Sequence, residues 1–218
     1  SFLKEEQGLD SLTIAAPMDA EWWHCGADSP IGSDGFRTGR GCSWAGAGFF
    51  QDRAVADRVL DDLALHFPEL PPYIEEFHCL LRPIRFSGEC RWLDRADAQL
   101  AVADSDPGGP VAVLISAGYE DMGPEHHARM LDFRENVDNV RAWYDTIEGN
   151  IVNGNFATGT DGMTFSLWRS DAALRDGAYG PGVHRTLLDR QKTERMADRT
   201  SYTRARMLRH CGTWHGRD

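Results

Sequence analysis

From Val111 onward the chain reads strand, helix, strand, strand, helix, strand, and few folds accept that order. "VAVLISAGY" (111–119) is an apolar run bounded by glycines, short enough for a strand. "EHHARMLDFRENVDNVRAWYDTI" (125–147) carries helical periodicity, with a break expected near Asn136. "NIVNGNFATGT" (150–160) and "GMTFSLWRS" (162–170) are strand-like, and Thr160-Asp161-Gly162 between them predicts a hairpin turn. "DAALRDGAY" (171–179) is a short helix, residues 182–197 a second one, and "TSYTRARMLRHCGTW" (200–214) a last strand. This order is that of a ferredoxin-like unit, with helices on one face of an antiparallel sheet, and predicts the α+β class.

The first half carries a weaker copy of the pattern. "SLTIAAP" (11–17) can form a short strand, and the glycine-rich stretch 26–48 reads as loop entering a strand near Ser43 to Phe50. In "DRAVADRVLDDLALHF" (52–67), Val55, Val59, Leu60 and Leu63 fall on one helical face, and "LPP" (70–72) closes the segment. "EEFHCLLRPIRFSG" (75–88) is strand-like, and Pro83 places it at an edge or a bulge. "FQDRAVADR" (50–58) aligns with "WRSDAALRD" (168–176), and Arg82 followed by Gly88 mirrors Arg206 followed by Gly212. Two matched features in the same order point to duplication. With "DSDPGGP" (104–110) as linker, the expected division is one repeat over 1–104, irregular over 1–42, and a second over 110–218.

Charge and cysteine usage narrow the function. A net charge of −11 repels phosphate backbones, so nucleic acid is not expected as a partner. No apolar run reaches the roughly 18 residues of a membrane helix, and no signal-peptide pattern opens the sequence. The five cysteines are scattered, none in a C-x-x-C pair, which fits a reducing, cytoplasmic setting rather than a zinc site or a disulfide framework. Gly39 and Gly41 lack the G-K-[ST] of a phosphate loop; H-E-x-x-H and G-x-S-x-G are also missing.

His184 is the chemically suggestive residue. In "GAYGPGVHRTLLDRQ" (177–191), Gly180 can cap a helix and Pro181 suits its first turn. His184 then shares a face with Leu187 and Leu188, among apolar neighbours. The positive end of the helix dipole keeps an imidazole neutral there. Such a ring is either a half-buried histidine hydrogen-bonded to a carbonyl or the ligand of a metal or haem iron.

"MTFSLWRSDAALRDGAYGPGVHRTLLDRQKTERM" and "YTRARMLRHCGTWHGRD" resemble the carboxy-terminal half of spheroidene monooxygenase and its relatives, and "CSWAGAGFFQDRAVADRVL" with "FHCLLRPIRFSGECRW" resembles their first repeat. The resemblance covers roughly residues 42–218. It implies two ferredoxin-like repeats in one chain, a dimeric-α+β-barrel-type fold, haem b and monooxygenase activity, with His184 as the axial iron ligand. The chain departs from the family pattern at Gly177, where an aromatic is usual, and at "ERMADRT" (194–200), and 18–48 leaves little room for the first repeat's helix. These departures bear on the substrate and leave His184 untouched.

A haem at His184 would meet the inner face of the sheet. Thr164 and Ser166 share one face of their strand, and Tyr202, Arg204 and Arg206 share one face of theirs. Arg206 and Ser166 are the candidates for chemistry; Arg204, Arg206, Tyr179, Arg185 and Trp168 are candidates for contacting the cofactor. The plain alternatives are a carboxylate partner for Arg206 and core packing for Trp168. The expected function is haem-dependent oxidation of a small or hydrophobic metabolite, with electrons from a separate ferredoxin or reductase and a homodimeric assembly. The competing readings are an aldoxime-dehydratase-like haem lyase or N–N/N–O bond catalyst, a cofactor-free monooxygenase, and a non-catalytic binding protein.

Overall fold

The computed structural model describes residues 11–17, 45–49, 53–66, 77–89, 102–120, 123–158 and 161–212. The chain forms two compact units, one of Ser1–Leu81 with Met207–Asp218 and one of Arg82–Arg206. Among the described residues no helix is long and apolar enough to cross a membrane.

In the first unit, β1 (Ser11–Pro17) pairs antiparallel with β2 (Ala45–Phe49), from Ser11 opposite Phe49 to Ala15 opposite Ala45. The chain then enters α1 (Arg53–His66), which buries Ala56 and Leu60. Arg209 donates to Asp57 and Asp61 of this helix, each at 2.6 Å. The three expected strands and the helix over 11–88 are all present, while "LPP" and most of the glycine-rich stretch lie outside the described residues.

The second unit is the α+β layer expected from the order of its elements. Its strands are β4 (Val111–Gly118), β5 (Asn150–Thr158), β6 (Asp161–Trp168) and the Arg199–Arg206 part of β7 (Arg199–Gly212), followed by the 82–88 part of β3 (Phe77–Gly88). They lie side by side as β5-β6-β4-β7-β3. The first four have the ferredoxin-like arrangement, with the first strand of the unit between the last and the third. β3 is the end strand of this order, and there Pro83, which cannot donate, accepts a backbone hydrogen bond from Ala103 at 2.8 Å. β3 and β7 both end on glycines with positive φ, Gly88 at 90° and Gly212 at 82°, so the mirrored Arg82–Gly88 and Arg206–Gly212 segments share a terminus as well as a spacing.

Val111 and Val113 of β4 and Trp168 of β6 form one side of a core whose other side comes from the helices. α2 (Pro124–Tyr144) contributes Val137, Val140 and Tyr144, three residues on one helical face. α3 (Asp171–Leu174) contributes Leu174, and α4 (Val183–Glu194) contributes Leu187. On the other side of β4 and its neighbours Ala112, Leu167 and Ala205 are buried as well, which is why β4 is apolar without alternation.

Four local expectations need correction. α2 runs unbroken through Asn136, whose side-chain amide donates to the Asp132 carbonyl one turn earlier. Asp161 and Gly162, expected in the hairpin turn, belong to β6 and pair with Thr158 and Ala157, while 159–160 lie outside the described residues. α4 ends at Glu194, not at 197, because Arg195 takes a left-handed conformation that stops the helix and leaves Met196 and Ala197 buried beyond it. Gly182, not Gly180, precedes the first residue of α4, so Pro181 lies in the loop ahead of the helix.

The segment 171–179 is helical as expected, but its second half, Arg175–Tyr179, is one π-helical turn. Gly177 sits in that turn against Trp168: a β-carbon there would lie 2.4 and 2.7 Å from two indole carbons. Trp168 is fully buried and has nowhere to move. Gly177→Ala gains roughly 1 kcal/mol of helix propensity and meets an overpacking cost of about 1–3 kcal/mol. We expect net destabilisation, read as a lower urea midpoint at unchanged slope.

Candidate functional site

His184 is the second residue of α4 and is 8% exposed. Leu187 on the same face is buried and Leu188 is half-buried, so the 3,4 spacing read from the sequence places the ring against the core. The π turn carries the Ala178 carbonyl to the imidazole, 2.5 Å from Nδ1. A carbonyl only accepts, so Nδ1 carries the proton and Nε2 keeps a lone pair. Burial pushes the His184 pKa below its usual value, against a smaller upward pull from the Ala178 bond, and the ring is neutral at neutral pH. It lies 5.7 Å from the Tyr144 ring and 6.2 Å from the Tyr179 ring, centre to centre. A neutral imidazole, oriented through one nitrogen and open at the other, can hold a metal or accept a proton. Among the described residues no group of three or more His, Cys, Asp or Glu could hold a metal ion, so a protein-only metal centre has no support there.

The sheet brings most of the other candidates to the same layer. Val113 faces Ser166 on one side and Arg204 on the other, and Val111 faces Trp168 and Arg206, so all four candidates share the face of the sheet that meets the helices. Ser166 is buried and its Oγ accepts from Trp168 Nε1 at 3.0 Å. Trp168 is completely buried and meets Tyr144 edge-on at 4.8 Å, which is core packing. Tyr179 is 44% exposed, and its hydroxyl lies 3.5 Å from that of Tyr202. Arg185 is exposed on the outer side of α4 and pairs with Asp189 at 3.1 Å; it is not brought to His184.

Arg206 is buried but already engaged. Its Nε and Nη2 bind both oxygens of Asp106 at 2.6 Å, Nη2 also binds Asp171 at 2.8 Å, and Nη1 binds the Gly109 carbonyl at 3.0 Å. Arg204 bonds the other oxygen of Asp171 through Nη2, while its Nε is buried without a hydrogen-bond partner. Asp171 stands in the first turn of α3, where a carboxylate also suits the helix dipole. The Asp106 in the linker closes a small turn by accepting from the Gly108 amide at 2.8 Å.

Sequence reading missed Tyr144, Asp106 and Asp171. Tyr144 continues the Val137–Val140 face of α2 and could have been placed in the core by that spacing. Asp106 lies 100 residues from Arg206, and nothing local links them.

No family model matches the chain, and no curated protein matches it. Among solved structures, a protein of Fusobacterium nucleatum subsp. nucleatum ATCC 25586 provisionally named a monooxygenase is similar at 9% identity, over 98% of this chain and 85% of that one, with a TM-score of 0.42. An anthrone oxidase-like protein is similar at 10% identity, over 99% of this chain and 84% of that one, with a TM-score of 0.35.

The ionic cluster has a pH signature. The Arg206 bond first, then the Gly108 amide, hold Asp106 down to about 2 from an ordinary 3.8, and Arg206 also lowers Asp171. A carboxylate depressed by folding contributes stability that is complete above its unfolded value and lost as pH falls through its folded one. The unit is therefore expected to lose stability between pH 3.8 and about 2. Arg206→Met should flatten that part of the profile, as read from denaturation midpoints measured across this range.

Proposed function

We propose that this chain is a haem b-dependent monooxygenase acting on a small or hydrophobic metabolite, with His184 as the axial iron ligand. The observation that carries the reading is the buried neutral imidazole whose Nδ1 is tied to the Ala178 carbonyl and whose Nε2 has a free lone pair. The donor set fits the group: haem needs one protein ligand, and an imidazole oriented by a backbone carbonyl supplies it. Bound there, haem would supply oxygen activation with electrons from a separate ferredoxin or reductase.

The remaining roles belong to the chain's own side chains. Arg204 is the partner for a propionate, because it still has an N–H without a bond. Arg206 acts indirectly, by fixing Asp171 and through it Arg204. Ser166 accepts from Trp168 and can donate its own hydroxyl proton on the sheet side of the site. The second reading, a cofactor-free oxygenase, draws on the same lone pair, which would serve as a base for a substrate proton.

Visible spectra separate the two readings. Protein produced with a haem precursor should show a strong Soret band, lost or shifted in His184→Ala, with turnover that requires an electron donor. A wild-type protein that stays colourless with added haem contradicts the proposal and leaves the cofactor-free reading; a coloured protein that turns over with neither a reductant nor a peroxide points to lyase chemistry.

A further inference from the structure

His184 lies in the middle of a continuous aromatic file. Trp168 meets Tyr144 at 4.8 Å, Tyr144 meets His184 at 5.7 Å, and His184 meets Tyr179 at 6.2 Å, all between ring centres. The file begins at a tryptophan that is 0% exposed and ends at a tyrosine that is 44% exposed. Packing accounts for its inner members, which belong to the core beneath the helices. Tyr179 is covered only in part, and 44% of its surface stays open to solvent.

Tyrosine and tryptophan are the side chains most readily oxidised by one electron, and rings in contact pass an electron between them. A phenol that gives up an electron must also give up its proton. Tyr179 can do so, because its hydroxyl reaches the Tyr202 oxygen at 3.5 Å and also has access to water. Tyr144 is buried, and burial opposes its ionisation.

We propose that Tyr179 is a surface oxidation site, at which electron-rich phenols too large to reach His184 deliver one electron at a time into the aromatic file. The inference rests on the haem reading of His184. The oxidant is a hydroperoxide. Its O–O bond breaks on taking two electrons and two protons, giving an alcohol and water, or two waters from hydrogen peroxide. Two phenols each lose one electron and one proton and become phenoxyl radicals. Tyr179 passes its own electron inward and its proton to Tyr202 or water, and the outside phenol restores both.

The test uses haem-loaded protein and hydrogen peroxide, with electron paramagnetic resonance, dityrosine fluorescence, and oxidation of a phenol tethered to dextran as readouts. The wild type should give a tyrosyl signal that narrows with ring-deuterated tyrosine, together with dityrosine-linked dimers. Tyr179→Phe should keep the Soret band, lose the signal and the dimers, and oxidise the tethered phenol on the order of tenfold more slowly. Tyr179→Trp should restore that rate. An unchanged radical and rate in Tyr179→Phe, with the Soret band intact, would overturn the surface site alone. A wild type with no Soret band would overturn it together with the haem reading beneath it.

Discussion

The hydrogen bond between His184 and the Ala178 carbonyl is the contact on which the proposed chemistry depends. It is 2.5 Å long, lies out of water, and decides which ring nitrogen carries the proton. The bond exists because the chain between α3 and α4 is wound as a π turn, which brings a carbonyl to the beginning of the next helix. The π turn in turn needs Gly177, since any β-carbon there would collide with the buried Trp168 ring. Sheet, turn and imidazole are thus coupled: Trp168 fixes the turn, the turn fixes the carbonyl, and the carbonyl fixes His184.

A second set of constraints works at the same end of the sheet, where Trp168 and Arg206 stand on either side of Val111. Arg206 is buried and fully charged, so it needs carboxylates close by, and it recruits Asp106 from the linker and Asp171 from α3. That choice pins the linker to the sheet and holds the first turn of α3, from which the π turn continues. The same choice occupies the Arg206 guanidinium, whereas the neighbouring Arg204 bonds Asp171 through Nη2 and keeps an Nε–H without a hydrogen-bond partner. An arginine on the inner face of a sheet is therefore better judged by its partners than by its position.

Much of this was legible in the residues. The apolar run at 111–118, the helical spacing of Val137, Val140 and Tyr144, and the strand pair Asn150–Thr158 and Asp161–Trp168 carry period and length signals that packing then reinforces. The burial of His184 followed from its 3,4 spacing with Leu187 and Leu188. The π turn did not follow, because it answers to a steric contact with Trp168, which precedes Gly177 in sequence but meets it only after the chain has turned back. Asn136 misled for a related reason: its side chain can break a helix or bond back to it, and only the surrounding contacts choose. A carboxylate partner for Arg206 was one of the two readings the sequence allowed, but its identity was illegible, because Asp106 sits in a stretch that reads as a plain linker.

The most direct test of this account is the tautomer of His184 in the haem-free protein, read from long-range proton–nitrogen correlations on histidine-labelled protein at neutral pH, with His184→Gln to assign the signals. The structure predicts a neutral ring protonated at Nδ1 with Nε2 unprotonated, and the proposed haem reading predicts that the Nε2 signal shifts on addition of haem. A ring protonated at Nε2, or an imidazolium at neutral pH, would contradict it, since neither leaves a lone pair where the proposed chemistry needs one.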